Sequence, residues 1–164
     1  MNATYHRQTA LLLLLAMVAV IASVQGFEHL GVYIPCKLCL AQRLPYYLAM
    51  PVALFALASA WRGWSPAVTR IALAVTGALM LWTCGLGIYH AGVEWGWWPG
   101  PDDCGAVAGG ISADVNDLLA DLTARTPPSC TDAAGRFLGL SFAGWNVLAS
   151  LALALFAFRG AMKR

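Results

Sequence analysis

The sequence predicts an all-α membrane protein, a bundle of four transmembrane helices that forms one domain over residues 1–164. Charged residues make up only 11% of the chain, hydrophobic residues make up 60%, and the mean hydropathy is +0.67. A soluble domain carries about 25% charged residues, and one of this size leaves too much surface in water to hide so many apolar side chains. This composition also excludes a disordered chain, a coiled coil and a nucleic-acid-binding protein with a basic patch.

Four stretches without Asp, Glu, Lys or Arg are long enough to cross a bilayer. A membrane-spanning helix needs about 17–25 mostly apolar residues, and it has to be a helix because lipid offers no partner for backbone polar groups. The apolar runs are continuous rather than alternating, which argues against the strands of a barrel. The predicted spans are 10–27, 44–61, 71–89 and 137–158.

The distribution of charge predicts the topology. Four spans place both termini on one side, together with the short loop 62–70. That side carries six basic residues and no acidic residue, whereas the other side carries four basic and all eight acidic residues. By the positive-inside rule, both termini lie in the cytoplasm and the loops 28–43 and 90–136 lie outside. A cleaved signal peptide is the alternative for the first span, but Val-Gln-Gly-Phe at 24–27 is a poor small-residue cleavage site.

The long loop contains one readable element. Ser112 is a plausible N-cap for a helix, and Pro127-Pro128 would end it. The apolar residues between them fall on one stripe, opposite three aspartates, and they are Val115, Leu118, Leu119 and Leu122. We expect a short amphipathic helix that lies flat on the outer membrane surface. A small soluble cap that packs on the loop itself is the alternative.

Four of the five cysteines fall in the two external loops, as two pairs. Cys36 and Cys39 form a Cys-x-x-Cys, which is a redox motif or half of a zinc site. Because proline is favoured at the first helical position, Pro35 predicts that the pair opens the second helix, where the helix dipole stabilises thiolates. Arg43 adds positive charge one turn after Cys39. A bridge over two intervening residues restrains the unfolded chain little, which favours redox use over a structural disulfide.

The second pair, Cys104 and Cys130, has 25 residues between its members. Taken alone, such a pair is more often a structural disulfide, but a neighbouring Cys-x-x-Cys makes thiol–disulfide exchange between the pairs possible. Zinc bound by all four thiolates is the rival, and the oxidising compartment and the spacing of the second pair argue against it. Cys84, inside the third span, is expected to be a small buried hydrophobe.

Two polar residues outside the cysteine pairs are also singled out. His90 emerges from the third span, either as an ordinary interfacial histidine or as a hydrogen-bond donor to a polar ligand at the bilayer edge. Asn146 is expected to form hydrogen bonds between helices.

A thiol oxidase must also dispose of two electrons. The sequence contains no haem ligand pair, iron–sulfur spacing or nucleotide-binding fingerprint. A lipid-soluble quinone is therefore the simplest electron acceptor.

Three motifs resemble those of one known family. They are Pro-Cys-Lys-Leu-Cys-Leu-Ala-Gln-Arg at 35–43, Trp-Pro-Gly-Pro-Asp-Asp-Cys at 98–104, and Arg-Phe-Leu-Gly-Leu at 136–140, shortly after Cys130. In their order and loop placement, these motifs make the sequence similar to the disulfide bond formation protein B (DsbB) family. The members of that family are quinone-linked thiol oxidases of the bacterial inner membrane.

The resemblance implies a reaction and its residues. A reduced periplasmic thioredoxin-like dithiol oxidase of the DsbA type would attack Cys104 in a Cys104–Cys130 disulfide, and Cys130 would then attack Cys36. Cys39 would pass the electrons to ubiquinone or menaquinone from the membrane pool. The residues expected to bind the quinone are Arg43 and His90. A monomer is expected.

Two other classes of protein remain as alternatives. A vitamin K epoxide reductase-like enzyme is also four-helical and quinone-linked, but its redox Cys-x-x-Cys comes late in the chain rather than before the second span. A non-enzymatic tetraspan membrane organiser would have a structural disulfide set within its large external loop. A Cys-x-x-Cys in the small loop has no purpose in such a protein.

Overall fold

The computed structural model describes residues 2–31, 35–101, 130, 131, 133 and 135–163. In this part of the chain, four helices are long and apolar enough to cross a membrane, which confirms the predicted all-α fold with four spans. The elements are α1 (Asn2–Gly31), α2 (Lys37–Trp61), α3 (Pro66–Glu94), β1 (Arg136–Phe137), β2 (Leu140–Ser141) and α4 (Phe142–Met162). The amphipathic helix predicted around Leu118 lies outside the described residues, as does Cys104.

The first three helices continue beyond the charge-free stretches that predicted them. A charged residue ends an apolar run, but it does not end the ladder of backbone hydrogen bonds that forms the helix. Glu28 lies inside α1 and Arg43 inside α2, where the two side chains pair with each other. The stretch 28–43, predicted to form the first external loop, is therefore largely helical, since α1 continues to Gly31 and α2 begins at Lys37.

The predicted start of the fourth span, at residue 137, is wrong. Residues 136–141 form a two-residue antiparallel hairpin that turns through Leu138 and Gly139, at φ 50° and 83°. The helix begins at Phe142, and its N-cap Ser141 accepts a hydrogen bond from the backbone N–H of Gly144 at 3.2 Å. An apolar run by itself does not distinguish a helix from a short hairpin, because so short a segment shows no clear periodicity of either kind.

The helices form a ring in which each packs mainly on its neighbours in sequence, and α1 closes the ring against α4. Small side chains fill the centre and let the helices approach closely; they are Ala49, Ala53, Ala56, Ala154 and Ala157. Large apolar side chains point outward, among them Leu12, Leu15, Leu54, Ile71 and Leu155. Outward apolar faces of this kind suit contact with lipid rather than water.

Gly87 brings α3 and α4 together beside the cysteines. A Cβ atom at this position would lie 2.9 Å from Val147 Cγ2 and 3.3 Å from Asn146 Nδ2. Only glycine leaves room for contacts this short, because real Cβ atoms do not approach other atoms so closely. The close approach carries Asn146 of α4 into hydrogen-bonding range of α2 and α3.

Candidate redox site

Cys36 and Cys39 lie at the N-terminus of α2. Cys36 is the N-cap, and its sulfur accepts a hydrogen bond from the backbone N–H of Cys39 at 3.2 Å. The two sulfur atoms are 2.9 Å apart, and both residues are free cysteines. The prediction that the pair opens the second helix is confirmed, although Pro35 stands before the cap rather than at the first helical position.

His90 reaches this pair from α3. Its Nε2 atom is 3.7 Å from the sulfur of Cys36 and 3.8 Å from Oε1 of Glu94, and its Nδ1 atom is 2.7 Å from Nε2 of Gln42. The ring is buried. His90 is therefore not an ordinary interfacial histidine exposed to headgroups and water; it is part of the environment of the thiols.

The surroundings of Cys36 favour its thiolate. The pKa of Cys36 is lowered to about 4, chiefly by the hydrogen bond from the Cys39 thiol. Burial raises this pKa, whereas His90 and the backbone N–H of Cys39 lower it further. A thiol with a low pKa is a good leaving group in disulfide exchange. Cys36 is therefore suited to be released from a disulfide as well as to form one.

Arg43 is buried beside the pair and makes an ion pair that the sequence analysis did not identify. Its Nη1 atom donates to Oε2 of Glu28 at 2.9 Å, and its Nη2 atom contacts Oε1 of the same carboxylate. The Nε–H of Arg43 has no hydrogen-bond partner among the described residues. An unpaired buried N–H costs free energy, and a ligand that accepts a hydrogen bond from it would remove that cost. This N–H is therefore available to a ligand.

A cavity of about 490 Å³ opens in front of these groups, between α1, α2, the end of α3 and the start of α4. Ligand pockets of small molecules span about 300–1,000 Å³ and combine apolar walls with a few polar groups. Apolar side chains of α1, β1 and α4 make most of the wall, among them Val20, Val24, Phe27, Phe137 and Phe142. Polar groups line one part of it, namely Cys36, Cys39, Gln42, Arg43, His90 and Glu94.

Four residues of the site were not singled out in the sequence: Glu28, Gln42, Tyr46 and Glu94. The expected interhelical role of Asn146 is confirmed, because its Nδ2 donates to Oε1 of Gln42 at 2.7 Å and its Oδ1 accepts from the hydroxyl of Tyr46 at 3.0 Å. A signal was present in the sequence. Polar and acidic residues at the ends of apolar spans are costly in a membrane and mark functional positions.

Cys130 packs against Cys36 in a small cluster with Leu38, Val93 and Trp98. It is buried and disulfide-bonded, and its bonding partner lies outside the described residues. The sulfur atoms of Cys36 and Cys130 and a ring nitrogen of His90 all lie within 4.8 Å of one another. Zinc binding by the four predicted cysteines is disfavoured, because a disulfide sulfur is not the thiolate ligand that zinc sites use.

Five of the six predicted site residues are therefore found together: Cys36, Cys39, Arg43, His90 and Cys130. The sixth, Cys104, lies outside the described residues. Cys84 is a buried free cysteine on α3, as expected, and is not among the residues that line the cavity.

Comparison with known proteins gives one family. A model of the family "Disulfide bond formation protein DsbB" matches residues 6–159. A protein of Rickettsia prowazekii (strain Madrid E), named Uncharacterized protein RP370, is 28% identical over 155 residues, which cover 92% of this chain and 86% of that protein. No solved structure matches the chain. The family match covers nearly the whole bundle and the motifs around the cysteines, so the chain belongs to the DsbB family of disulfide bond formation membrane proteins.

Proposed function

We propose that this protein reoxidises a periplasmic thioredoxin-like dithiol oxidase of the DsbA type and passes the electrons to a membrane quinone, ubiquinone or menaquinone. One observation carries the proposal. The sulfur of the disulfide-bonded Cys130 lies within 4.8 Å of the sulfur of Cys36, and Cys39 borders an apolar cavity. A disulfide and a dithiol are thus in range for exchange beside a space that a lipid-soluble molecule can enter.

The oxidation of the partner proceeds through three exchange steps. The partner's thiolate attacks Cys104 in the Cys104–Cys130 disulfide, which forms a mixed disulfide and releases Cys130 as a thiolate. Cys130 attacks Cys36 in a Cys36–Cys39 disulfide and releases Cys39. The second thiol of the partner then resolves the mixed disulfide, so the partner leaves oxidised and Cys104 is released as a thiolate.

The last exchange restores the outer disulfide. The Cys104 thiolate attacks Cys130 in the Cys36–Cys130 disulfide, and Cys36 leaves as a thiolate. The lowered pKa of Cys36 supports this step, because it makes Cys36 a good leaving group. The partner's two electrons now reside on the reduced pair of Cys36 and Cys39, which faces the cavity.

The residues of the cavity fit a quinone. Its walls are mostly apolar, which suits a hydrophobic ring and tail, and the unpaired Nε–H of Arg43 suits a carbonyl oxygen. A quinone, when bound, accepts two electrons and two protons. Arg43 would hold and orient its oxygen beside Cys39, and the neighbouring carboxylate of Glu28 fixes the guanidinium in place.

The location follows from the same proposal. The four spans would cross the bacterial inner membrane with both termini in the cytoplasm, in agreement with the six basic residues on that side. Both cysteine pairs would then face the periplasm, where disulfides persist. We propose that the protein acts as a monomer, because one chain supplies every residue that the reaction uses.

A single assay tests the proposed function. Purified protein in detergent is mixed with a reduced periplasmic dithiol oxidase and a quinone, and quinone reduction is followed by absorbance. We expect turnover that disappears in Cys36→Ala and Cys39→Ala and survives in the matched control Cys84→Ala. Turnover that persists without Cys36, or the absence of turnover with both ubiquinone and menaquinone, would refute the proposal.

A further inference from the structure

We propose that a hydrogen-bond chain from Tyr46 through Asn146 and Gln42 fixes which nitrogen of His90 carries the proton. The chain holds the ring in the tautomer with hydrogen on Nε2, so that His90 donates to the sulfur of Cys36. This inference deepens the proposed function and rests on it for the redox role of Cys36. The assignment of the tautomer rests only on the contacts of the side chains.

The first constraint comes from the backbone of α2. The amide Nε2 of Gln42 lies 3.2 Å from the carbonyl oxygen of Leu38, one turn earlier in the helix. A carbonyl oxygen only accepts hydrogen bonds, so the amide group of Gln42 turns its NH₂ to this side. The same NH₂ lies 2.7 Å from Nδ1 of His90. Nδ1 therefore accepts, and the hydrogen of the neutral ring is on Nε2.

A second constraint reaches the same result from the other end of the chain. The hydroxyl of Thr83 donates to the carbonyl oxygen of Gln42 at 2.7 Å, so its oxygen is left to accept from Asn146 Nδ2 at 3.3 Å. Asn146 therefore presents its NH₂ on this side, and it also donates to Oε1 of Gln42 at 2.7 Å. The hydroxyl of Tyr46 donates to Oδ1 of Asn146 at 3.0 Å and completes the chain.

Two backbone carbonyls thus set the direction of every hydrogen bond in the chain. All members are buried or partly buried side chains, and reversing one amide would leave donors facing donors. The chain links three helices, since Tyr46 and Gln42 lie on α2, His90 on α3 and Asn146 on α4. It ends at the ring of His90, which contacts the sulfur of Cys36.

The consequence is an N–H that faces two acceptors. Nε2 of His90 lies 3.7 Å from the sulfur of Cys36 and 3.8 Å from Oε1 of Glu94. Around the cavity, the other titratable or charged groups are Cys39, Arg43 and Tyr46 on α2 and Glu28 on α1, whereas the described part of α4 contributes none. An N–H directed at a sulfur stabilises its thiolate. Gln42 and Asn146 act through His90 and are positioning residues.

The tautomer is directly measurable. The reduced protein, labelled with ¹⁵N-histidine in detergent and without quinone or partner, is examined by long-range ¹H–¹⁵N correlation NMR, and the signals of His90 are assigned by their loss in His90→Asn. We expect a protonated Nε2 and an unprotonated Nδ1 at neutral pH. Protonation at Nδ1, alone or together with Nε2, would overturn the proposal.

Variants test whether the hydrogen-bond chain determines the tautomer of His90. Gln42→Glu replaces the donor with a carboxylate that only accepts, so we expect a hydrogen on Nδ1. Asn146→Leu removes one of the two constraints on the Gln42 amide and leaves the hydrogen bond to the Leu38 carbonyl, so we expect the Nε2-protonated tautomer to stay dominant and the Nδ1-protonated tautomer to become detectable. The control is Ser150→Ala, which removes a hydroxyl bonded to the backbone oxygen of Asn146 but outside the chain. An unchanged His90 spectrum in folded Gln42→Glu and Asn146→Leu would contradict the proposed chain.

A second readout covers variants that do not fold well enough for NMR. The alkylation rate of Cys36 is followed against pH, and Thr83→Val, which removes the hydroxyl that orients Asn146, is compared with Ser150→Ala. We expect the midpoint of the Thr83→Val profile to rise by about half a pH unit, because loosening Asn146 weakens the hydrogen bond from His90 to the Cys36 thiolate while the Leu38 carbonyl still holds Gln42. Equal midpoints would overturn the proposal. Neither readout depends on quinone or partner. A negative result for the proposed turnover is therefore distinguishable from a negative result for the hydrogen-bond chain.

Discussion

The two ends of the bundle are built from the same apolar helices but treat their polar groups differently. At the end where the chain terminates, polar groups are paired: Ser59 and Thr69 share a hydrogen bond of 2.8 Å, and Arg70 Nε donates to the carbonyl of Ala161 at 2.6 Å. At the cysteine end, two buried polar atoms have no partner among the described residues: Arg43 Nε and Glu94 Oε2. Unpaired buried groups cost free energy and concentrate at functional sites.

The two ends also differ in how closely the helices pack. At the terminal end, a Cβ atom on Gly160 would lie 2.6 Å from Thr9 Cγ2 and 3.2 Å from Leu73 Cδ1, so the helices are in full contact. At the cysteine end, the helices separate around a cavity of about 490 Å³. We infer that the terminal end provides much of the stability that lets the cysteine end keep a cavity and unpaired groups.

The largest expected effect comes from breaking the ion pair at the cysteine end. Arg43→Met leaves the partly buried Glu28 carboxylate without its partner, and we expect a loss of about 3 kcal/mol in the free energy of unfolding, the lower end for a buried pair. The matched change at the terminal end, Arg70→Met, removes one hydrogen bond and should cost about 1 kcal/mol. Denaturant unfolding in detergent measures both. If the proposed quinone site is correct, Arg43→Met also raises the KM for quinone and Arg70→Met does not.

The double variant Arg43→Met, Glu28→Met separates the charge from the packing. Replacing both members of a buried pair with apolar side chains is often nearly neutral. We therefore expect the double variant to recover most of the lost stability but not the quinone KM. A double variant as unstable as Arg43→Met would show that the buried charge is not the cause.

The second prediction concerns the reactivity of the cysteine end. Because the pKa of Cys36 is lowered to about 4, its thiolate persists at neutral pH and is lost only as the pH falls toward that value. An ordinary thiol, with a pKa of about 8.5, is about 3% ionised at pH 7. In a reduced Cys104→Ala, Cys130→Ala background, we expect the alkylation rate of Cys36 to stay flat from pH 8 to pH 6.

Two substitutions test the causes of this shift. Cys39→Ala removes the largest one, the hydrogen bond from the Cys39 thiol, and should move the alkylation profile of Cys36 to higher pH. His90→Asn removes a smaller contribution and should move it less. An equal or larger shift in His90→Asn would reverse the assigned order.

The third prediction compares two glycines outside the cysteine end. Gly160→Ala places a methyl group against Thr9 and Leu73, and we expect it to cost about 1–3 kcal/mol because overpacking strains the helices. Gly85→Ala meets no atom within 4 Å and should stabilise α3 by about 0.5–1 kcal/mol, since alanine is the better helix former. Thermal unfolding distinguishes the two signs. Both variants should retain the Cys36 alkylation profile, and a shifted profile in Gly160→Ala would mean that the two ends are coupled.

The sequence predicted the features that depend on one-dimensional patterns. Four charge-free runs gave four helices, and the proline and spacing around Cys36 placed the pair at a helix start. The hairpin before α4 could not be read from the sequence, because Phe137 and Leu140 continue the same apolar run as the helix. Its turn depends on the backbone conformation at Leu138 and Gly139.

The side-chain contacts of the predicted site residues could not be predicted from the sequence, for a different reason. Glu28 pairs with Arg43, and Gln42 orients His90, but these contacts join residues 15 and 48 positions apart on different helices. The rotation of each helix decides which polar side chain faces the interior. That rotation follows from packing at positions such as Gly87, whose contacts exist only in the assembled bundle.

The smallest expected effect belongs to Cys84, which lies between the two ends. Its thiol makes one long contact, 3.8 Å, to the carbonyl of Val147, and it does not line the cavity. Cys84→Ala removes one buried sulfur and should cost about 1 kcal/mol or less, while the kcat and KM of quinone reduction stay unchanged. A large loss of turnover in a stable Cys84→Ala would place the thiol in the electron path. The redox site would then extend into the middle of the bundle, and the division between a reactive end and a packed end would fail.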